Sequence, residues 1–383
     1  MIEIALVGKP NAGKSTFFKA VTMIDVKISN VPFTTLKPNK GIAYVSTECA
    51  CKDFNVKCNP QDGFCINSIR YVPIILWDVP GLIPEAHKGK GLGNEFLSSI
   101  NHVDGIAYII DASGKTNLEG IESESSNVVE EVNFLINELI QWYKQIIQKH
   151  IPKFYSNEKE LIDVLTQKLS GLKIKREYIE KHINEIKDLD TFAKNLLFES
   201  KKMIIIANKI DDENSYKNIE ELRKFIKKEN LDLEVVECSA LSELILRELD
   251  KKGIISYDFK SFKILKESEL NKNQLDALEK IRKMLEKNNG SFVVNALNRL
   301  VFNVMKYKVV FPVENENKLS DKKGNVLPNA FLLEKDAKVI DLAEKIHSEI
   351  AKNFLYAIDV KNKRKIGKDY VLNHRDVIKI YHS

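Results

Sequence analysis

The sequence predicts an α/β protein: a mostly parallel sheet flanked by helices, interrupted by an inserted helical hairpin and followed by a small β-grasp module. Three observations predict it. Short apolar runs of strand length (Ile2–Val7, Tyr71–Trp77, His102–Asp111, Met203–Ala207 and Glu234–Glu237) recur with helix-length segments between them. The stretch from Asp78 to Asn208 is far longer than two strands and a helix require, so it holds an insertion. The last fifth of the chain changes character, with strands at 306–313, 355–360 and 377–381 around a helix at 339–353.

The first element carries the first chemical signal. Ile2–Val7 is a β-type apolar run, Gly8-Lys9-Pro10-Asn11-Ala12-Gly13-Lys14-Ser15 follows at once, and Thr16–Thr22 reads as a helix. Strand, G-x-x-x-x-G-K-S and helix in that order is the phosphate-binding loop in its required setting. Glycines let backbone N–H groups curl around phosphates without a Cβ clash, and the helix N-terminus adds its positive end. Lys14 would reach the β- and γ-phosphates, and the Ser15 hydroxyl would bind Mg²⁺. Pro10, Asn11, Ala12 and Thr16 complete the expected contact set. The plainer reading is a glycine turn entering a helix.

Each later strand ends in a related signal. Tyr71–Trp77 runs into Asp78-Val79-Pro80-Gly81-Leu82, where Asp78 would hold Mg²⁺ through water and Gly81 would offer an unobstructed N–H to the γ-phosphate. Met203–Ala207 leads into Asn208-Lys209-Ile210-Asp211. The Asp211 carboxylate can accept from guanine N1–H and N2–H₂, a match adenine lacks. Asn208 would hold the loop near the base edge, with the Lys209 stem across the ring. Glu234–Glu237 precedes Cys238-Ser239-Ala240-Leu241, where the Ala240 N–H would meet guanine O6.

With these residues in place the chain resembles the Obg superfamily of translation-factor-class P-loop GTPases, closest to its YchF-related archaeal and eukaryotic branch. The resemblance rests on Gly8–Thr16, on Val31-Pro32-Phe33-Thr34-Thr35-Leu36-Lys37-Pro38-Asn39, on Asp78–Leu82 and on Ala86–Leu97 with its Gly-rich run. It is looser between about 114 and 200. It implies GTP or GDP with Mg²⁺ as ligands, and Thr35 as the first-switch threonine that completes Mg²⁺ coordination, with Thr34 as the alternative. Lys14, Thr35 and Gly81 are then the catalytic group. YchF relatives often lose the Asn-Lys-x-Asp pattern and favour ATP, whereas Asn208–Asp211 is intact here and implies guanine. Leu82 stands where Ras-like enzymes place a water-orienting Gln, and an aliphatic side chain cannot hydrogen-bond water. Hydrolysis is therefore expected to be slow unaided. Asn11 is the candidate ligand for an activating K⁺, and His87 a second candidate helper.

The resemblance also sets the expected division: 1–113 with 201–305 as the nucleotide domain, 114–200 as an inserted coiled-coil-like hairpin, 306–383 as a TGS domain of β-grasp type. In the insertion, Ile121–Lys149 carries Val128, Val132, Leu135, Ile136, Leu139 and Tyr143 at helical spacing, and Glu158–Leu169 and Glu177–Leu197 are amphipathic. Glu243–Met305 reads as mostly helical. The arm and the TGS domain would report the nucleotide state to a ribosome or RNA. An ATPase of the YchF type and an RNA-binding scaffold with negligible turnover are the competing readings.

Composition bounds these expectations. At 383 residues, 44% hydrophobic and 30% charged, the chain can build two or three cored domains. Its apolar runs are too short to span a bilayer, and its start lacks a secretory pattern, so a cytoplasmic, monomeric protein is expected. The net charge is +5, and Lys361, Lys363, Arg364, Lys365 and Lys368 cluster near the end, which suits a polyanion or simply a solvated surface. Cys49, Cys51, Cys58 and Cys65 lie within one short segment, while Cys238 is remote. A tetrahedral zinc, a disulfide and ordinary thiols are all open, because the spacing lacks paired C-x₂-C knuckles.

Overall fold

The computed structural model describes residues 1–23, 38–82, 84–88, 99–123 and 126–383. Val31–Lys37, including Thr34 and Thr35, and Gly89–Leu97 lie outside the described residues. The chain forms two compact units: Met1–Ile2, Ile42–Ile74 and Leu297–Ser383 make the first, Glu3–Gly41 and Ile75–Ala296 the second.

The larger sheet has seven strands: β1 (Glu3–Val7), β2 (Asn39–Glu48), β3 (Phe64–Ile66), β4 (Ile69–Asp78), β5 (Gly105–Asp111), β6 (Lys202–Asn208) and β7 (Glu234–Glu237). Their order is β2-β4-β1-β5-β6-β7, with β3 paired to β4 alone. β1 is parallel to β4 and β5, β5 to β6, and β6 to β7. Every residue of β5 is buried, as in a central strand covered on both faces. The order reverses direction around β1, and ligands of such sheets bind beyond the carboxyl ends of the strands near that point.

Helix α1 (Lys14–Thr22) leaves the first loop with Phe17, Phe18, Ala20 and Val21 buried. The insertion is helical as expected, with four α-helices among its described residues. α2 (Val128–His150) packs along α5 (Leu189–Ser200), with α3 (Glu158–Leu169) and α4 (Arg176–His182) between them in sequence. The expected helix over Glu177–Leu197 breaks after His182, where Asp188 caps α5 by accepting from Asp190 and Thr191 N–H groups. The apolar stripe of α2 is buried as read, and Asn127 caps its start.

After β6 come α6 (Ser215–Lys228), β7 and α7 (Ala240–Lys251). Glu243–Met305 is mostly helical as expected, interrupted at 255–264 by a hairpin of β8 (Ile255–Tyr257) and β9 (Phe262–Ile264). Tyr257 and Phe262 face each other in register, and Phe259 takes a positive φ in the turn. Alternating aromatics outweigh helix propensity here. α8 (Lys272–Lys287) and α9 (Phe292–Asn298) follow. Glu243 of α7 is buried and accepts from Ser291 Oγ (2.8 Å) and Phe292 N–H (3.0 Å), which fixes the start of α9.

In the first unit, β10 (Lys308–Val313), β11 (Phe331–Leu333), β12 (Phe354–Asp359), β13 (Arg364–Ile366) and β14 (Val377–His382) form a sheet ordered β11-β10-β14-β12-β13. Its β10/β14 pair is parallel and the rest antiparallel, as in a β-grasp. Val310, Val339, Leu342, Leu372 and Ile378 form its core with their neighbours. The single helix expected at 339–353 is two, α10 (Val339–Ile346) and α11 (Ser348–Lys352), because His347 is extended at φ −167°. Residues 42–74, assigned from sequence to the nucleotide domain, group with this module. Buried Arg70 explains why: its guanidinium donates to the carbonyls of Leu327 (3.0 Å) and Pro328 (2.9 Å).

Candidate functional site

The loop after β1 leaves the sheet at Gly8, where any Cβ would lie 2.2 Å from the Ile109 carbonyl oxygen. Gly13 precedes α1 at φ 97°, and a Cβ there would meet Asn208 Nδ2 at 2.2 Å. Two close approaches thus require glycine at the ends of this turn. The first turn of α1 holds no acidic residue, so nothing local competes for its N-terminal dipole.

Lys14 folds back, donating from Nζ to the Lys9 carbonyl at 2.8 Å. Burial pulls its pKa down to about 8, against the opposing pull of Asp78 and Glu131. Ser15 Oγ donates to Asp78 Oδ2 at 2.8 Å. Burial pushes the Asp78 carboxyl up, although Lys14 and hydrogen bonds from Ser15 and Asn39 work the other way. Its Oδ1 is buried without a hydrogen-bond partner among the described residues. A buried carboxylate oxygen with no donor, beside a hydroxyl, is a donor set that fits a hard divalent cation such as Mg²⁺.

Asn208 at the end of β6 joins three of the motifs. Its Nδ2 donates to the Ala12 carbonyl at 2.9 Å, and its Oδ1 accepts the Ala240 N–H at 3.0 Å. The Ala240 N–H, expected to face a base, is thus turned to Asn208. Lys209 takes φ 68° and its Nζ pairs with buried Asp111 Oδ2 at 2.8 Å. Burial raises the Asp111 pKa, but Lys209 with Ser113 and Thr116 hydroxyls holds it below the usual range overall. Asp211 is exposed, and Ser239 Oγ donates to its Oδ1 at 2.7 Å. Ser239 also caps α7, and Leu241 is 53% exposed beside it.

The remaining candidates are placed as follows. Pro10 is buried against Gly81, whose added Cβ would approach it to 3.0 Å. Asn11 sits at φ 59° and donates from Nδ2 to the Gly120 carbonyl at 2.9 Å, which aims its amide oxygen away from that bond. Thr16 lies in α1, half-buried. Leu82 is 1% exposed, and its N–H donates to the Gly8 carbonyl at 3.1 Å, tying the Asp-x-x-Gly segment to the phosphate loop. His87 is engaged: its Nδ1 lies 2.7 Å from Glu138 Oε2, and Glu138 also accepts the N–H groups of Glu85 and His87.

The residues that sequence reasoning missed are Lys9, Asp111, Thr116, Glu131 and Glu138. Lys9 is buried, with Nζ 2.8 Å from Glu131 Oε2 and 2.5 Å from the Thr116 carbonyl. Glu131 and Glu138 stand seven apart on α2, both buried amid its apolar stripe. That pair was the available signal, because an unpaired buried carboxylate is costly and two at helical spacing imply partners on one side.

A glycine cradle at a helix start, a buried carboxylate whose surroundings fit a cation and an Asn-Lys-x-Asp loop at adjacent strand ends define a P-loop protein. Comparison agrees. The model of the family described as 50S ribosome-binding GTPase matches residues 3–151, that of the Obg-like GTPase YGR210-like G4 motif-containing domain matches 206–315, and that of the TGS domain matches 321–382. A GTP-binding protein of Methanocaldococcus jannaschii is 44% identical over 99% of both chains. The ribosome-binding ATPase YchF of Mycoplasma pneumoniae is 31% identical over 66% of this chain and 70% of that one. A crystal structure of a GTP-binding protein from Pyrococcus horikoshii superposes with a TM-score of 0.79 at 30% identity, covering 100% of both chains. The chain belongs to the Obg-like, YchF-related family of P-loop GTPases that carry a TGS domain. It is a GTP-binding protein with nucleoside-triphosphatase chemistry.

Proposed function

We propose that this chain selects GTP over ATP through Asp211, hydrolyses it slowly when alone, and uses the bound state as a switch toward the ribosome or its RNA. The supporting observation is the Asn208 bridge, which brings the phosphate loop and the two base-side loops into one hydrogen-bonded unit with Asp211 exposed beside it. In this reading Ser15, Asp78 and Thr35 would hold Mg²⁺, whose charge would offset that of the triphosphate. Lys14 and the N-terminus of α1 bind the phosphates, and the Gly81 N–H orients the γ-phosphate. Leu82 is buried and apolar, so no side chain at that position holds the attacking water. Potassium at Asn11 would supply the missing charge. The same reading keeps 114–200 as the inserted region and 306–383 as the TGS region, with 42–74 grouped with the latter rather than with the nucleotide region. A metal at Cys49, Cys51, Cys58 and Cys65 is independent of it.

The polyanion-facing candidate is the turn and edge strand holding Lys361, Lys363, Arg364, Lys365 and Lys368, all exposed. Part of that charge is used internally: Lys361 pairs with Asp53 at 3.1 Å, and Lys365 lies over the Tyr356 ring at 4.0 Å. Charges on an edge strand also block sheet extension.

Competition for labelled GTP tests the base assignment. Asp211 would accept two hydrogen bonds as a charged group, each contributing about 1.5–3 kcal/mol, so unlabelled ATP should need at least ~100-fold more than GTP to compete. Asp211→Ala should abolish the preference. Equal competition by ATP against the unaltered chain would refute guanine selection in favour of the ATPase reading. Phosphate release in KCl and NaCl, each with and without ribosomes, tests the rest. Turnover should rise with K⁺ and rise again with ribosomes. Equal rates in both salts remove potassium, no response to ribosomes removes that partner, and no release under any condition leaves a scaffold.

A further inference from the structure

Cys49, Cys51, Cys58 and Cys65 converge in the first unit, their four sulfur atoms all within 4.8 Å of one another. Cys49 and Cys51 flank the start of a short 3₁₀ turn at Ala50–Lys52, Cys58 lies in the loop beyond, and Cys65 is on β3. Cys49 Sγ and Cys58 Sγ are 3.9 Å apart. A disulfide would need about 2.05 Å. Four thiolates around one zinc at about 2.3 Å stand about 3.8 Å from each other along the tetrahedron's edges. A cluster of several irons would hold its thiolates further apart, because metals and bridging sulfides lie between them.

Two further features point to a ligand. The loop from 52 to 62 is mostly exposed and has no apolar core of its own. Such a segment needs a staple. Arg70 is fully buried, stands opposite Cys65 in the β3/β4 register and interacts electrostatically with Cys49, Cys58 and Cys65. Its Nε has no hydrogen-bond partner among the described residues. Four thiolates on a divalent ion carry two net negative charges, and a buried guanidinium opposite one ligand offsets part of that charge.

We propose that these four cysteines bind one zinc ion in a closed, structural S₄ site, with Arg70 as the compensating charge behind it. All four positions are filled by protein sulfur, so the site has no opening for substrate. It fixes the loop whose Asn59 and Gln61 N–H groups donate to the carbonyls of Val326 (3.0 Å) and Pro328 (2.8 Å).

The test is elemental analysis of the full chain, purified without chelator in mild reductant, followed by replacement with Co²⁺. About one zinc per chain is expected, and the cobalt form should show thiolate charge-transfer and tetrahedral ligand-field bands. Cys58→Ser should weaken zinc binding at least ~10-fold, since losing a direct ligand should cost no less than losing an outer partner. Cys65→His, which keeps a soft ligand, should retain the ion with a cobalt spectrum shifted toward nitrogen ligation. If Cys58→Ser does not fold, the cobalt spectrum of the unaltered chain and Cys65→His still decide. Purified chain without metal that fails to bind added Zn²⁺ or Co²⁺ would overturn the proposal. So would iron in place of zinc, a disulfide among the four, or unchanged affinity in folded Cys58→Ser.

Discussion

Lys14→Met should lower affinity for a guanosine triphosphate by roughly 10³–10⁴-fold. The ammonium is buried and points along the phosphate loop. An ion pair about 3 Å long at an effective dielectric of 20 contributes about 5 kcal/mol, before any hydrogen bond is counted. Isothermal titration against a non-hydrolysable analogue measures the loss. The same residue makes affinity depend on pH. With its pKa at about 8 in the free chain, Lys14 is increasingly neutral above that value. A bound polyanion favours the charged form, so binding takes up a proton there. Affinity should therefore be flat below pH 7 and fall toward tenfold per unit above pH 8. In Lys14→Met the slope should vanish, and a slope that survives would assign it elsewhere.

Asn208→Ala should cost at least roughly 30-fold in nucleotide affinity. The side chain is 2% exposed, and truncation leaves the Ala12 carbonyl and the Ala240 N–H without their partner. Each orphaned buried group costs about 1–3 kcal/mol, and 1.4 kcal/mol is a factor of ten. Because Asn208 links the phosphate side to the base side, GDP and GTP should lose affinity alike. A loss confined to the triphosphate would mean the two sides are not coupled through this residue.

The candidate nucleotide site is legible in the sequence because its motifs sit in short loops next to strand ends. Gly8, Gly13 and Asn208 must be those residues for steric and hydrogen-bonding reasons that act over a few positions. The supports were not legible. Lys9 occupies a variable place in the phosphate-loop pattern, and its partner Glu131 is more than a hundred residues away. Glu138 belongs to the same helix, and only three-dimensional packing shows that it holds Glu85 and His87. Three strands of the second module are legible as apolar runs, whereas the short strands Phe331–Leu333 and Arg364–Ile366 are not, and the break at His347 depends on one extended residue. The hairpin at 255–264 carries only a weak signal, because its short aromatic alternation lies between longer helical segments. The cysteines announced themselves by density alone, whereas Arg70, the residue that gives them a charge balance, sits in an apolar strand with nothing around it to mark it.

The buried contact between Lys9 and Glu131 has a practical corollary. Shortening this protein to a minimal GTPase by excising residues 114–200 would strand a cation beneath the phosphate loop, a loss of about 3–5 kcal/mol for a sundered interior pair. The insertion has ceased to be an accessory and become part of the foundations, so a trimmed version would need Lys9 neutralised in the same step.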